Sequence, residues 1–167
     1  LFLKIRNMKY YLYLLSLIVL LSACNKTTRY DIYLPKAYIG EVAIIYDCKS
    51  GADSMEVNGR LQFTIPDSGV LLTKVKSPEE GILDQRFYMK TNVNNQEEIE
   101  TYIYQKDTTH KYIYFDRNIT TECQPQGEPI SYTIKYFYVG YKMDLVSNKK
   151  RYFFENHIDS LIGCPQG

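Results

Sequence analysis

Between residues 30 and 143 apolar and polar side chains alternate in short runs, each cut off by Gly, Pro or Asn. A period of two is the signature of strands, not helices, and it constrains this chain more than any other feature. The longest run is Ser131 to Met143, SYTIKYFYVGYKM. In it Tyr132, Ile134, Tyr136 and Tyr138 share one face, and Thr133, Phe137, Val139 and Tyr141 share the other. One face must enter a core. The remaining one is a candidate aromatic platform for a sugar, although cross-strand ring packing is the commoner use of such residues. Gly140 marks a bulge or a close backbone approach. The composition agrees with strands, since 17 Tyr stand against 0 Trp, and tyrosine suits half-buried strands where the ring packs and the hydroxyl reaches water.

The other extended runs are Tyr30 to Leu34, Ile39 to Asp47 with Val42, Ile44 and Tyr46 on one face, Gln85 to Thr91 and Lys111 to Asp116. Arg60 to Lys76 is expected to be a hairpin, with Leu61, Phe63 and Ile65 on one face and Asp67-Ser68-Gly69 as its turn; Gly at the last loop position accepts the left-handed conformation. Lys49 to Gly59 and Asn118 to Pro129 are expected to be loops, and Glu97 to Gln105 fits a helix or a strand. At the end Phe154, Ile158, Leu161 and Ile162 recur at helical intervals, closed by Gly163 and Pro165. About seven strands and one helix result. The expected fold is all-β: a single antiparallel β-sandwich or small barrel-like domain over residues 30–167 with a short C-terminal helix.

Residues 1–23 have the order of a secretory signal: basic Lys4, Arg6 and Lys9, an apolar run from Tyr10 to Leu21, then small residues. Met8 is a candidate start. The apolar run is shorter than the roughly 20 residues that span a hydrocarbon core. Leu21-Ser22-Ala23-Cys24 resembles the bacterial lipobox, so Cys24 is the expected lipid-attachment site, with cleavage before it and acyl chains of the palmitate kind. Several acyl chains make a stable anchor, because each buried methylene contributes about 0.8 kcal/mol and one chain alone is marginal. Residues 24–29 are then a short tether, and the expected address is the cell envelope outside the cytoplasm. Asn25 after the cysteine favours the outer membrane if the organism is Gram-negative. Without Lys4, Arg6 and Lys9, 17 of the 20 basic residues remain against all 19 acidic ones, a net charge of −2. That balance gives no reason to expect nucleic acid as a partner.

The segments IGEVAIIYD, GRLQFTIPDSGVLLTK and DQRFYMK resemble a family of exported bacterial proteins, the domain of unknown function 6843. The shared steps are a Pro-x-Gly-aromatic-x-Gly lead into a strand, a Gly-aromatic-x-Ile-Pro-x-x-Gly hairpin, an aromatic strand and an aromatic-Val-Gly segment like Phe137 to Gly140. The resemblance covers most of Tyr30 to Lys142. This chain departs at Ala37, where the pattern usually has Gly. The resemblance implies the fold and an exported address, and it brings no catalytic residues.

The sequence gives no catalytic constellation. His110 and His157 are the two histidines, and neither forms a His-Glu-x-x-His pair, so no metal and no cofactor is expected. Glycoside hydrolysis needs two flanking acids. The candidates are Glu79-Glu80 and the cluster Glu97, Glu98 and Glu100, for which a solvated surface is the plainer reading. No Gly-x-Ser-x-Gly elbow occurs. Besides Cys24 the cysteines are Cys48, Cys123 and Cys164. An odd count leaves one thiol unpaired within the chain. Cys123 and Cys164 are the candidate disulfide, stapling the C-terminal helix to the body, and Cys48 is the candidate buried thiol. The resulting expectation is a membrane-anchored, non-enzymatic accessory or binding module, with an envelope protein or a glycan as its partner. The alternative is a carbohydrate-active hydrolase or glycan-binding protein.

Overall fold

A computed structural model describes residues 27–78, 83–91, 95–102, 109–123 and 130–143. The leader, Cys24, Glu79-Glu80, His157, Cys164 and the segment expected to form the C-terminal helix lie outside these residues. The strands are β1 (Thr28–Leu34), β2 (Gly40–Ile45), β3 (Met55–Val57), β4 (Arg60–Thr64), β5 (Val70–Leu72), β6 (Leu83–Lys90), β7 (Gln96–Ile99), β8 (Tyr112–Cys123) and β9 (Ile130–Gly140). They form two sheets, β3-β4-β1-β6-β7 and β5-β2-β9-β8. The arrangement is an all-β sandwich, not a closed barrel.

The expected antiparallel architecture needs correcting: both sheets are mixed. β1 runs parallel to β4 and to β6, and β2 runs parallel to β5. The reason is the path of the chain. After β1 it crosses to the second sheet for β2, and after β4 it crosses again for β5. After β2 the chain comes back as β3, which runs against β4, so β4 points the same way as β1; after β5 it comes back as β6, again in the direction of β1. Parallel neighbours always need such a crossover.

The expected hairpin from Arg60 to Lys76 is corrected by the same path. Its turn is real: the Gly69 amide donates to Pro66 O at 2.9 Å and Gly69 has φ 79. Its two arms, however, join different sheets, β4 in one and β5 in the other. The hairpin that does form pairs β3 with β4 around Asn58-Gly59, whose φ values are 51 and 73. Asn-Gly with both residues left-handed is the preferred two-residue turn, and it lies where a loop was expected. Asn118 to Cys123, also expected to be a loop, continues β8, and Gly140 ends β9 without a bulge. The irregularity sits between Tyr114 and Arg117 of β8, where three steps along β8 match two along β9.

Between the sheets lies the core. Tyr30, Ile32 and Leu34 of β1, Phe63 of β4 and Phe87 and Met89 of β6 meet Val42 and Ile44 of β2, Ile113 of β8 and Phe137 and Val139 of β9. Fully burying a side chain of this size contributes roughly 1.5–3 kcal/mol. Phe87 and Phe137 meet edge-on across the layers at 5.1 Å. One cation shares this space. Lys135 is 2% exposed, lies 6.0 Å from the centroid of the Phe87 ring and is paired with Asp116 of the β8 bulge. Burial pulls its ammonium pKa down, and Asp116 opposes that shift. Phe115, with φ 58, is where the bulge turns.

Ala37 has φ 57. The preference for Gly at this point of the pattern therefore reflects a left-handed turn, which Ala can adopt at a cost.

Candidate functional site

The outer face of the first sheet is polar. Arg60 Nε donates to Asp31 Oδ1 at 2.6 Å, Nη1 to Asp84 Oδ2 at 2.6 Å and Nη2 to Tyr30 O at 2.8 Å. The side chains of Arg60 and Asp31 are 11% and 12% exposed. The hydrogen bond from Arg60 holds the Asp84 carboxyl below the usual carboxylate range. Beyond this cluster Tyr33 and Tyr88 stack on each other at 5.4 Å, and Gln62 Nε2 donates to the Tyr33 hydroxyl at 3.2 Å. The pair are register partners on β1 and β6, so their stacking is a cross-strand contact.

On the second sheet the structure removes the aromatic platform considered for β9. Phe137 and Val139 enter the core as one face of the strand should, but Tyr136 and Tyr138 on the other face are each 1% exposed. The Tyr136 hydroxyl donates to Glu41 Oε1 at 2.8 Å, and the Arg117 guanidinium lies 5.4 Å from the Tyr136 ring centroid. Tyr112, Tyr114 and Tyr138 form a tyrosine cluster with Tyr102 packed against it. Sequence alternation finds both faces of such a strand, but it cannot tell whether one or both are covered.

A concavity of about 540 Å³ opens beside β7 and the start of β8. It gathers residues that the sequence keeps apart: Glu97, Glu98 and Glu100 on one side, His110 and Lys111 on the other, with Tyr112 and Tyr141 as aromatic wall. The Lys111 ammonium lies 5.7 Å from the Tyr141 ring centroid and 3.8 Å from Met89 Sδ. Glu97 and Glu98 are successive strand residues and exposed, so their side chains leave opposite faces of β7. His110 Nδ1 lies 3.2 Å from Thr109 Oγ1. Among the described residues no three His, Cys, Asp or Glu side chains are grouped to hold a metal ion. The cleft combines carboxylates, one ammonium and two tyrosine rings, which suits a polar or cationic ligand with an apolar flank.

The remaining sequence candidates separate. Cys48 follows β2 and is buried; its Sγ lies 3.7 Å from Tyr46 O, and burial raises its pKa. Cys123 is the last residue of β8. Cys24 and Cys164 lie outside the described residues, but the chain leaving Cys24 reaches β1 at Thr28.

Comparison with known proteins gives a consistent picture of the fold. A crystal structure described as a candidate lipoprotein from Bacillus anthracis superposes with a TM-score of 0.52 at 15% identity, covering 70% of this chain and 73% of that one. No curated protein matches. Residues 27–148 match the sequence profile of a family of unknown function, DUF6843, and the chain belongs to that family.

Proposed function

We propose that this chain is a cell-envelope lipoprotein, held outside the cytoplasm by acyl chains on Cys24, and that it works as a non-enzymatic binding module. The observation that carries the reading is the polarity of the sandwich. β1 begins at Thr28, four residues after Cys24, and pairs there with Leu83 of β6; its last residue, Leu34, pairs with Met89. Met89 lines the cleft. The tether and the cleft therefore belong to opposite ends of the same central strand, about 20 Å apart at the usual strand rise. A lipid anchor at Cys24 turns the cleft away from the bilayer, toward whatever the envelope presents. The lipobox and the lipoprotein description of the Bacillus anthracis structure support the same address. In an organism with two membranes, Asn25 favours the outer one.

The test is fractionation of Cys24→Ser in a bacterial host. The variant is expected to keep its leader and to lose the lipid-dependent partition into detergent. A mutant with wild-type mobility in the membrane fraction overturns the anchor.

A second reading, glycan binding or hydrolysis, draws on Glu97, Glu98 and Glu100 in the same cleft as Tyr112 and Tyr141. A glycan array separates it from a protein partner. Glycan binding that Tyr141→Ala abolishes favours the sugar, and a blank array favours a protein.

A further inference from the structure

Lys135 points from β9 into the space between the sheets, a direction it shares with Phe137 and Val139. Its side chain is 3% exposed, and its ammonium lies 6.0 Å from the ring centroid of Phe87 on the facing sheet. An apolar side chain would fill that place at less cost, because a buried ion pair seldom outweighs the desolvation of its charges. The partner of Lys135 is held there by a distorted backbone. Inward residues alternate along a strand, so Ile113 in the core should be followed inward by Phe115. Instead Phe115 has φ 58 and is 39% exposed. Asp116 takes the inward direction and accepts a hydrogen bond from Lys135 Nζ. A positive φ on a bulky residue is a rare, strained conformation, and such strain collects at sites of function. Here the bulge gives up an apolar contact and lays a carboxylate against a buried amine.

Two groups held this way are set up to react with each other. Away from water the charged pair loses its advantage over a neutral amine and a carboxylic acid, and burial does pull the Lys135 ammonium pKa down. The two side chains stand on neighbouring antiparallel strands and are already in contact. Folding has therefore met the entropy of bringing them together before any bond forms.

We propose that Lys135 and Asp116 join in an isopeptide bond, a covalent tie between β9 and β8 that the folded chain forms by itself. The proton first moves along the existing hydrogen bond, from Nζ to the carboxylate, leaving a neutral amine and a carboxylic acid. Nζ then bonds to Cγ of Asp116 and the bond from Cγ to its hydroxyl breaks. The hydroxyl leaves as water with one proton from nitrogen, and the other proton stays on the new amide. Nothing is oxidised or reduced, and no further reactant enters. The hydrogen-bonded pair is the state before this bond forms. The tie fastens β8, at the edge of its sheet, to β9, which is flanked by β8 and β2, so the edge strand cannot peel away. It needs neither the lipid anchor nor a ligand in the cleft.

The test is the mass of the full chain, measured intact after denaturation. The wild type is expected to weigh one water less than its residues and its processing require. Lys135→Arg and Asp116→Ala are expected to lack that loss, and they share the leader and any lipid with the wild type, so the comparison isolates the bond. Trypsin should then cut the wild type after Arg117 but not after Lys135, returning residues 112–117 joined to residues 118–142 in one branched product. A wild type of full mass that releases residues 118–135 as a free peptide overturns the proposal, whether or not the variants fold. A loss of water that maps to a cyclised aspartate or to any other pair of residues overturns it as well.

Discussion

Gly69 and Gly59 both have positive φ, 79 and 73, but only one of them is enclosed. A Cβ on Gly59 meets nothing within 4 Å, whereas a Cβ on Gly69 would stand 2.5 Å from the Glu41 carbonyl oxygen, with the Tyr38 hydroxyl closer still. That hydroxyl donates to the same carbonyl at 2.5 Å, and burial pushes its pKa up to about 12. Gly59→Ala should therefore cost only the conformational term, about 1–2 kcal/mol for a left-handed L-residue. Gly69→Ala adds the displacement of backbone at Glu41 and the disturbed Tyr38 bond, roughly another 1–3 kcal/mol by analogy with overpacked cores. The total of about 2–5 kcal/mol is a large part of a typical domain stability of about 5–15 kcal/mol. Urea unfolding followed by tyrosine fluorescence suits a chain with 17 Tyr and 0 Trp. The expected result is a midpoint lowered clearly more by Gly69→Ala than by Gly59→Ala at equal slope. Equal midpoints for the two variants would refute the reasoning, because the turn would then be held by backbone conformation alone.

Replacing Arg60 with Met leaves Asp31 enclosed without its cation, and truncating one partner of a buried pair typically costs about 3–5 kcal/mol; a thermal melt reads it, and an unchanged Tm contradicts it. The same substitution should alter acid sensitivity. Asp84 has a folded pKa below its ordinary 3.8 because Arg60 donates to it, so its contribution is complete above 3.8 and fades as pH falls through the lower folded value. The wild type should lose stability across that acid window more steeply than Arg60→Met, and parallel pH profiles would speak against the assignment. For the proposed Cys123–Cys164 disulfide, peptide mapping without reductant should return that linked pair, worth about 2–4 kcal/mol. Three alkylatable thiols, or a link involving Cys48, would exclude it.

Much of the sandwich was legible residue by residue. The alternation of Val42, Ile44 and Tyr46, and of Phe137 and Val139, grouped side chains that do share the core, because side-chain direction along a strand is a local property. The sequence left open, however, which face of the longest strand turns inward. Gly69 announced its left-handed turn for the same reason, and the Asn58-Gly59 hairpin was equally readable, though hidden in a polar stretch expected to be a loop. Of the cleft, the sequence offered Glu97, Glu98 and Glu100 as an acidic cluster read as solvated surface, and His110 apart from them. Lys111, Tyr112 and Tyr141 join them through the approach of β7 to β8, which no local spacing encodes.

What the sequence determined by itself is therefore the class of structure: strands, their two faces and their turns, all set by interactions within a few residues. Partnership was decided by the tertiary structure. Arg60 to Lys76 looks like a hairpin locally, yet its arms serve two sheets, because the crossing between layers buries Phe63 on one side and lets Val70 pair beside Ala43 on the other. The tyrosines of β9 are covered on the outer face as well, and the extra residue in β8 brings Asp116 to Lys135. A period of two says which side chains point together. It cannot say what lies above them, since that depends on contacts between segments far apart in the chain.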